Sequence, residues 1–391
     1  MLGLASYNKC TGCSACINIC PMKCLIMKAD EYGFLYPSLQ HPNLCVKCGM
    51  CGKVCPVSSN KKKCEKEETT KAYAVYSKDV SLREASTSGG AFAELALEIL
   101  KNGGAVYGAA YDNQFYISHI YIEKVEDLNW LCGAKYAQSD LGYSFREIKE
   151  KLELGQQILF VGTPCQVAGL KAFLQKDFEG LYTVDFVCHG VPSPAIWKNY
   201  VEYRAKIDNA GQLPKKINLR SKHTGWSHYQ YSNVYQYYNG VTYSAKGGTD
   251  LYMRLFVGDY INRNSCAKCR FKGYNRISDI TLGDFWGIWD IAPEMDDNRG
   301  TSLVLVHSEK GEKLFSALND RIQCKKVVLE QAATQNSSLL YSSRAKLQRD
   351  EVFCAALSGD FEAVENILKT SRQKTIFLKR MLEKIRRIIK R

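Results

Sequence analysis

The chain has 391 residues, a length that predicts roughly two or three domains, and 46% of them are hydrophobic, which suffices for packed cores. No apolar run approaches the roughly 18 residues that a membrane-spanning helix requires, and no nucleic-acid-binding motif accompanies the formal net charge of +13. We therefore expect a soluble protein that does not bind nucleic acid. The N-terminus lacks the pattern of a cleaved signal peptide, and the 17 cysteines then predict a cytoplasmic location, where cysteine serves metal and redox chemistry.

Two copies of one cysteine motif occupy residues 10–56. Each copy reads C-x2-C-x2-C-x3-C-P, the bacterial-ferredoxin pattern for two 4Fe-4S clusters, in which each run gives three thiolates to one cluster and its fourth to the other. The predicted ligands are Cys10, Cys13, Cys16 and Cys55 for the first cluster, and Cys45, Cys48, Cys51 and Cys20 for the second. The alternatives are a zinc site or a disulfide framework, but zinc takes four ligands in paired spacings and explains neither the eight cysteines nor the terminal prolines.

The two clusters would change the charge of the protein and indicate a partner. A 4Fe-4S core with four thiolates carries about −2 when oxidised, so the holoprotein would be only mildly basic. Such a surface suits docking to an acidic carrier. We therefore expect ferredoxin or a similar low-potential protein as the electron donor.

The rest of the chain predicts a larger α/β domain. Residues 58–71 are polar and charged without apolar periodicity, which indicates a linker after a ferredoxin domain of residues 1–57. Strand and amphipathic-helix patterns alternate over 72–325, which predicts a mixed sheet covered by helices. Tyrosine-rich, period-two stretches over 214–262 predict an antiparallel insertion. The predicted fold class is thus a small α+β cluster domain followed by a mixed-sheet α/β domain and a helical C-terminal tail.

Four further cysteines occur at turns of the α/β region. They are Cys165 in FVGTPCQ, Cys188 in DFVCHG, and Cys266 and Cys269 in CAKCRFK. The first two follow predicted strands, where functional groups of α/β sheets collect, and C-x2-C is a common metal half-site. Four thiols could hold a third 4Fe-4S cluster. The alternative is that the two strand-end cysteines are buried apolar residues and that the pair binds zinc.

Residues 326–391 predict helices that end in a basic amphipathic segment. From Lys369 to Arg391 there are ten Lys or Arg residues and one Glu, and apolar residues recur at helical spacing. Such a helix can lie on an anionic membrane surface, which predicts peripheral contact with the inner face of the membrane. The alternative is a helix that packs on its own domain and exposes its basic face.

The α/β region carries six motifs of one known family in order. They are STSGGAF, GAKYAQSD, FVGTPCQVAGL, DFVCHGVPSP, CAKCRFK and SDITLGDFWG. Over about residues 72–320 the chain resembles the beta-subunit family of hydrogenases and dehydrogenases that use the deazaflavin coenzyme F-420, whose relatives include ferredoxin-dependent reductases of chlorophyll metabolism. The resemblance implies a bound FAD and an iron-sulfur cluster in this domain, with electrons passing between clusters, flavin and a substrate or carrier.

Residues in these motifs are predicted to bind the flavin. A Ser-Gly-Gly sequence directly before a helix favours an anion such as the FAD pyrophosphate, although a plain helix cap is the alternative. The predicted flavin contacts are Ser86, Ser88, Gly89, Gly90, Lys135, Tyr136, Gln138, Ser139, Thr163, Pro164, Asp284 and Trp286. Reduction at a flavin also needs a proton donor, and the predicted catalytic residues are His189 and Lys135. His223 and His228 are second candidates, and a histidine satisfied by its turn is the alternative for His189.

The sequence therefore predicts an iron-sulfur flavoprotein oxidoreductase that passes electrons from a low-potential donor through 4Fe-4S clusters to FAD and on to an organic substrate of unknown identity. One alternative is an electron-transfer subunit that oxidises or reduces coenzyme F-420 within a larger complex. Another is a ferredoxin domain fused to an inert scaffold.

Overall fold

The computed structural model describes residues 3–58 and 70–371. The N-terminal module contains two short helices, α1 (Ala15–Ile19) and α2 (Met50–Lys53), and the hairpin β1 (Leu25–Ala29) and β2 (Leu35–Leu39). The hairpin strands are antiparallel. Each helix begins one residue before the third cysteine of a run, so the two runs follow the same local course.

The large domain contains eleven further strands among the described residues. They are β3 (Lys71–Ser77), β4 (Ala105–Tyr111), β5 (Ile117–Ile122), β6 (Ile158–Val161), β7 (Leu181–Phe186), β8 (Lys216–Ser221), β9 (Ser232–Gln236), β10 (Thr242–Lys246), β11 (Ile280–Asp284), β12 (Ser302–Val306) and β13 (Ile322–Val327). Eight of these strands form one mixed sheet in the order β13-β3-β12-β11-β7-β6-β4-β5.

The centre of this sheet is parallel. Strand β6 pairs in parallel with β4 and β7, and β7 pairs in parallel with β11, whereas the outer pairs are antiparallel. The four residues of β6 are all buried, as expected for a strand covered on both faces. Because the four parallel strands point the same way, the loops that follow β6, β7 and β11 meet at one edge of the sheet. These loops carry the TPC, CHG and DFW sequences.

Helices cover both faces of the sheet. The α-helices of the large domain include α3 (Val80–Ala85), α4 (Ala91–Lys101), α5 (Leu128–Leu131), α6 (Ser144–Glu153), α7 (Pro164–Leu174), α8 (Pro194–Asn209), α9 (Leu251–Val257), α10 (Ile288–Ile291), α11 (Glu309–Ser316), α12 (Leu329–Ala333) and α13 (Arg349–Leu357). Apolar residues of α4, α5 and α11 pack on one face. On the other face, α6 and α7 share a core with Ala15 and Val54 of the N-terminal module. The module is thus packed directly onto the large domain.

The predicted antiparallel insertion is present as the sheet β8-β9-β10. Its core is shared with α8, α9, α13 and the helical residues 361–368. The helical prediction for the C-terminal region therefore agrees with the structure as far as residue 371. One difference is β13, which extends to Val327 and pairs with β3, so the sheet continues past residue 325, where the sequence pattern predicted the domain to end.

Two sequence predictions fall outside the described residues. Most of the linker predicted at 58–71 and the basic segment from residue 372 onward lie there. None of the helices described over 3–58 and 70–371 has the length and apolar character needed to cross a membrane.

Candidate iron-sulfur and flavin site

Four cysteines of the N-terminal module line one cavity. They are Cys10, Cys13, Cys16 and Cys55. Burial is the main cause that raises the pKa of the Cys13 thiol to about 12, and the nearby thiols of Cys10, Cys165 and Cys55 raise it further. The fourth member comes from the second run, as the crossover pattern of a two-cluster module requires. The residues around this cavity therefore fit the first predicted cluster.

The remaining four cysteines of the two runs form a second group. Burial raises the pKa of the Cys51 thiol, and Cys48 and Cys20 lie close enough to raise it further. The group also has a neighbour that the motif did not predict, because the Sγ atom of Cys24 lies 3.4 Å from that of Cys20. Across the described residues, no three His, Cys, Asp or Glu side chains converge closely enough for a single metal ion. A four-iron cluster holds its thiolates farther apart than a single zinc ion does.

The third predicted set of cysteines converges at the edge of the large sheet. Cys165 lies in the first turn of α7, Cys188 follows β7 by two residues, and Cys266 and Cys269 lie on the loop after α9. Burial is the main cause that raises the pKa of the Cys188 thiol, and Cys266, Cys165 and Cys269 raise it further. Burial likewise raises the pKa of Cys266 to about 12, with Cys165 as the next cause. The structure thus brings all four thiols together, as a third cluster would require.

A buried arginine connects the module with this third set. Arg263 is 1% exposed, and its Nε donates to the carbonyl oxygen of Cys10 at 2.8 Å. Its Nη1 donates to Oε1 of Gln138 at 3.1 Å, and the same oxygen accepts from the backbone N–H of Leu35 at 2.9 Å. Gln138, predicted to contact flavin, therefore lies at the junction between module and domain. Arg263 was not predicted, although it precedes Cys266 by only three residues.

Helix α7 brings the first and third cysteine sets close together. A Cβ atom placed on Gly169 would lie 2.9 Å from Sγ of Cys13, so the helix approaches the module closely at this point. The same helix carries Cys165 in its first turn. Its N-terminus is fixed by a capping box in which the Thr163 and Gln166 side chains bond each other's backbone N–H groups. Gln166 Nε2 also donates to Oγ of Ser139 at 3.0 Å.

This close approach predicts a stability effect. Replacing Gly169 by alanine should destabilise the folded chain by about 1–3 kcal/mol through overpacking, which outweighs the gain of at most about 1 kcal/mol in helix propensity. Thermal unfolding of the purified holoprotein would measure this, together with iron retention. The matched control is Gly248→Ala, because a Cβ atom there has no neighbour within 4 Å. Equal melting temperatures for the two variants would contradict the packing argument.

The Ser-Gly-Gly loop lies where α4 begins, but several of its groups are already engaged. Gly90 has a φ of 91° and precedes α4, and the Ser88 hydroxyl donates to the carbonyl oxygen of Thr301 at 2.8 Å. The N–H of Gly89 donates to Oγ of Ser302 at 3.0 Å. A Cβ atom on Gly89 would lie 2.2 Å from the carbonyl oxygen of Val75, which explains the glycine. Ser86 Oγ donates to the Leu82 carbonyl at 2.8 Å.

A lysine that the sequence did not indicate lies beside this loop. Lys222 Nζ donates to the carbonyl oxygens of Arg83 and Ser88 at 2.5 Å each. Burial lowers the pKa of Lys222 to about 8. A cation is therefore held next to the N-terminus of α4, where the helix dipole also favours an anion.

A second unpredicted cation gathers three of the predicted residues. Arg220 Nη2 donates to Oδ2 of Asp284 at 2.5 Å, and Nη1 donates to the Tyr136 hydroxyl at 3.3 Å. Its guanidinium lies 3.9 Å from the ring centroid of Tyr231 and 4.9 Å from that of Trp286. Tyr136, Asp284 and Trp286 come from distant parts of the chain, and Arg220 brings them together.

The interior beside Arg220 contains polar atoms without partners. Arg220 Nε and both amide atoms of Asn233 are buried and have no hydrogen-bond partner among residues 3–58 and 70–371, and the same holds for the hydroxyls of Tyr111 and Tyr235. Asn233 and Tyr235 alternate along β9 and so point to one face of its sheet. Tyr111 lies close enough to Tyr235 to raise its pKa, after burial and Asp250. Buried polar groups are normally satisfied by the protein, by water or by a ligand, so these atoms leave hydrogen-bonding capacity for a polar partner.

The predicted catalytic residues have structural partners. Lys135 Nζ donates to the carbonyl oxygens of Trp130, Leu131 and Cys132 at 2.7–3.1 Å, which caps the end of α5, and burial lowers its pKa to about 8. His189 Nε2 lies 2.9 Å from Oδ1 of Asp259, and its Nδ1 lies 3.1 Å from Oγ of Ser338. Their roles in catalysis stay predictions.

The two second-choice histidines lie outside the third cysteine set. His223 contacts the hydroxyls of Ser221 and Ser244 at 2.9 and 3.1 Å. His228 has a φ of 52°, and its ring centroid lies 4.3 Å from that of Trp289. Both belong to the segment that follows β8, and His228 lies beside the aromatic group that contains Trp286 and Trp289.

A series of aromatic contacts connects the third cysteine set with Arg220 and the residues that it contacts. The ring centroid of His189 lies 5.2 Å from that of Phe256, and Phe256 lies 4.8 Å from Tyr136. His189 is the residue after Cys188, and Tyr136 contacts Arg220. In space, the third cysteine set thus lies between the first set and the buried polar atoms near Arg220.

Comparison with known proteins finds a matching family model for each of two parts of the chain. Residues 155–331 match the family model that describes the C terminus of the coenzyme F420 hydrogenase/dehydrogenase beta subunit, and residues 9–59 match a 4Fe-4S dicluster domain. No match was found among curated proteins. A chain of the xenon-derivatised F420-reducing [NiFe] hydrogenase complex from Methanosarcina barkeri is similar at 18% identity over 78% of this chain and 92% of that chain, with a TM-score of 0.47. The chain thus contains a region similar to the C terminus of the coenzyme F420 hydrogenase/dehydrogenase beta subunit, over residues 155–331, and a 4Fe-4S dicluster domain at its N-terminus.

Proposed function

We propose that the chain is an iron-sulfur flavoprotein reductase that accepts electrons from ferredoxin or a similar low-potential donor and delivers them, through three 4Fe-4S clusters and FAD, to an organic substrate. The observation that carries this proposal is the close approach of α7, the helix that bears Cys165, to the Cys10–Cys13 loop, where a Cβ atom on Gly169 would lie 2.9 Å from Sγ of Cys13. The Thr11 hydroxyl and the Cys13 thiol both lie beside Cys165, so the module and the third cysteine set are neighbours. A cluster in each set would give electrons a continuous route to the sheet edge.

The residues around the sheet edge suit the parts of a flavin dinucleotide. The start of α4 with Lys222 would hold the pyrophosphate, because the helix N-terminus and the ammonium both favour an anion. Arg220 and Asn233 would hold the polar edge of the ring system, since together they offer donors and an acceptor that lack partners among the described residues. Bound FAD would convert single-electron deliveries into a two-electron reduction.

The protein groups have separate roles in this proposal. Asp284 fixes the Arg220 guanidinium, and this buried cation would stabilise negative charge on the ring. Asp259 and Ser338 hold the two ring nitrogens of His189 beside Cys188, so one of these contacts would have to open before the imidazole donated a proton to the substrate. Thr163 and Pro164 shape the turn that fixes Cys165.

The sequence also predicts that the basic segment from residue 372 onward contacts a membrane surface. Deletion of residues 372–391 would test this prediction.

The second candidate function is an electron-transfer subunit that exchanges electrons with coenzyme F-420. The family match over residues 155–331 favours it. Oxidation of the reduced coenzyme by the isolated holoprotein would support this candidate, whereas no reaction at any concentration would count against it.

Anaerobic purification provides the first test of the main proposal. We expect flavin absorption beside the broad iron-sulfur band, and rapid bleaching of both when catalytic ferredoxin and a reductant are added. The rate of flavin bleaching should fall when a cluster ligand of the module, such as Cys16, is replaced. A preparation that binds no flavin after reconstitution with FAD would contradict the proposal.

A further inference from the structure

The two cysteine sets of the module differ in exposure. Cys13, Cys16 and Cys55 of the first set are 8–9% exposed, and this set faces α7 and Arg263. In the second set, Cys48 is exposed and Cys45 and Cys51 are partly exposed. The second cluster would therefore lie at the outer end of the route, where an external protein can approach it.

The surface around the second set is apolar at its centre and basic at its margin. Met22 is 42% exposed, Leu44 is 48% exposed and Val46 is 63% exposed. Each lies within two residues of a cysteine of this set. We call these three residues, together with the exposed lysines of the same segments, the outer patch; the lysines are Lys23, Lys47 and Lys53.

The charge of the outer patch is one-sided. Residues 1–29 and 40–58 contain no Asp or Glu. A second copy of the chain would bring like charges together at such a patch, which is unfavourable. An acidic protein would meet complementary charge, and its approach would be accelerated by the surface potential.

We propose that the outer patch is the docking surface for a small acidic one-electron carrier protein, which delivers single electrons to the second cluster. This inference deepens the proposed function and rests on it for the direction of electron flow. The exposed Cys48 gives the carrier close access to the cluster, while the apolar centre excludes water from the contact. Interfaces of transient redox partners are small, below about 1,200 Å² in total, so such a partner needs only a small docking surface.

The test uses the full-length holoprotein and the charge-reversal variant Lys47→Glu/Lys53→Glu. Cluster reduction by a reduced plant-type or bacterial ferredoxin is followed by stopped-flow absorption at several salt concentrations. For the unmodified protein we expect the second-order rate constant to fall as salt rises. For the variant we expect a rate constant at least tenfold lower at low salt, with little remaining dependence on salt.

A matched control separates the patch from the overall charge. Lys215→Glu/Lys216→Glu reverses two exposed lysines next to and at the start of β8 and should change the rate constant less than twofold. Iron content and the rate of reduction by a viologen radical show whether the clusters of each variant are intact. Equal rate constants for the patch variant and the control would overturn the proposal.

Two further outcomes would also overturn it. One is a concentration-dependent dimer in sedimentation that Lys47→Glu/Lys53→Glu abolishes, because the patch would then bind a second copy. The other is binding to vesicles of anionic phospholipid that the same variant loses while its ferredoxin rate is unchanged. If reduced clusters fail to pass electrons to flavin in the unmodified protein, the proposed function fails, and the salt dependence of cluster reduction still tests the docking surface.

Discussion

Replacing Cys269 by serine is expected to lower the iron content of the anaerobically purified chain from about twelve to about eight atoms, since three 4Fe-4S clusters hold about twelve. The reason is geometric, because Cys165, Cys188, Cys266 and Cys269 are mutual neighbours although they come from three separate loops. A four-thiolate cluster that loses one ligand is destabilised or lost. Iron and acid-labile sulfide analysis would measure the change, and electron paramagnetic resonance of the reduced protein would show one signal fewer.

The control for this prediction is Cys324→Ser. Cys324 lies exposed on β13, away from all three cysteine sets, and its replacement should leave about twelve iron atoms in place. Two results would contradict a third cluster. One is an iron content near eight in the unmodified protein. The other is one zinc ion per chain that Cys269→Ser removes, which would establish the zinc alternative for the Cys266–Cys269 pair.

The cysteine sets could be predicted from sequence because their chemistry depends on local spacing. The run from Cys10 to Cys20 and its repeat fix both the ligand type and the exchange of the fourth ligand. Cys165 and Cys188 were recognisable because each follows an apolar strand, and parallel strands bring such turns to one edge. The mixed sheet and the antiparallel insertion could also be predicted, because the periodicity of apolar residues is likewise a local property of the sequence. Strand β13 was missed because IQCKKV is largely exposed and lacks a clear apolar alternation.

The cations of the site could not be predicted in this way. Arg220 contacts Asp284 across 64 positions of the sequence, and Arg263 contacts Cys10 across 253. Neither arginine belongs to a motif, and an arginine in isolation is usually a solvated surface residue. Their burial depends on how the insertion and the module pack on the large sheet. The same packing explains why Gln138, which lies within the GAKYAQSD motif, also contacts the module.

The unsatisfied polar atoms near Arg220 lead to a second prediction with a large effect. Replacing Asn233 by leucine should weaken FAD binding by roughly five- to hundredfold, which corresponds to about 1–3 kcal/mol for the loss of a buried hydrogen-bonding group. Leucine has nearly the same shape as asparagine but offers no donor or acceptor. Fluorescence titration of the flavin-free protein with FAD would measure the dissociation constant. Asn319→Leu, at an exposed position after α11, is the control and should leave the constant unchanged.

The flavin-free Asn233→Leu variant distinguishes a ligand group from a merely structural one. Asn233 is fully buried, and neither of its amide atoms has a partner in the part of the chain that the structure describes. If these atoms serve a ligand, their removal takes away an uncompensated desolvation cost, so the flavin-free variant should melt at the same temperature as the unmodified flavin-free protein or above it. Added FAD should then raise the melting temperature of the unmodified protein more than that of the variant. A variant that is destabilised without flavin but binds FAD normally would show that Asn233 supports the fold through buried water and does not contact the flavin.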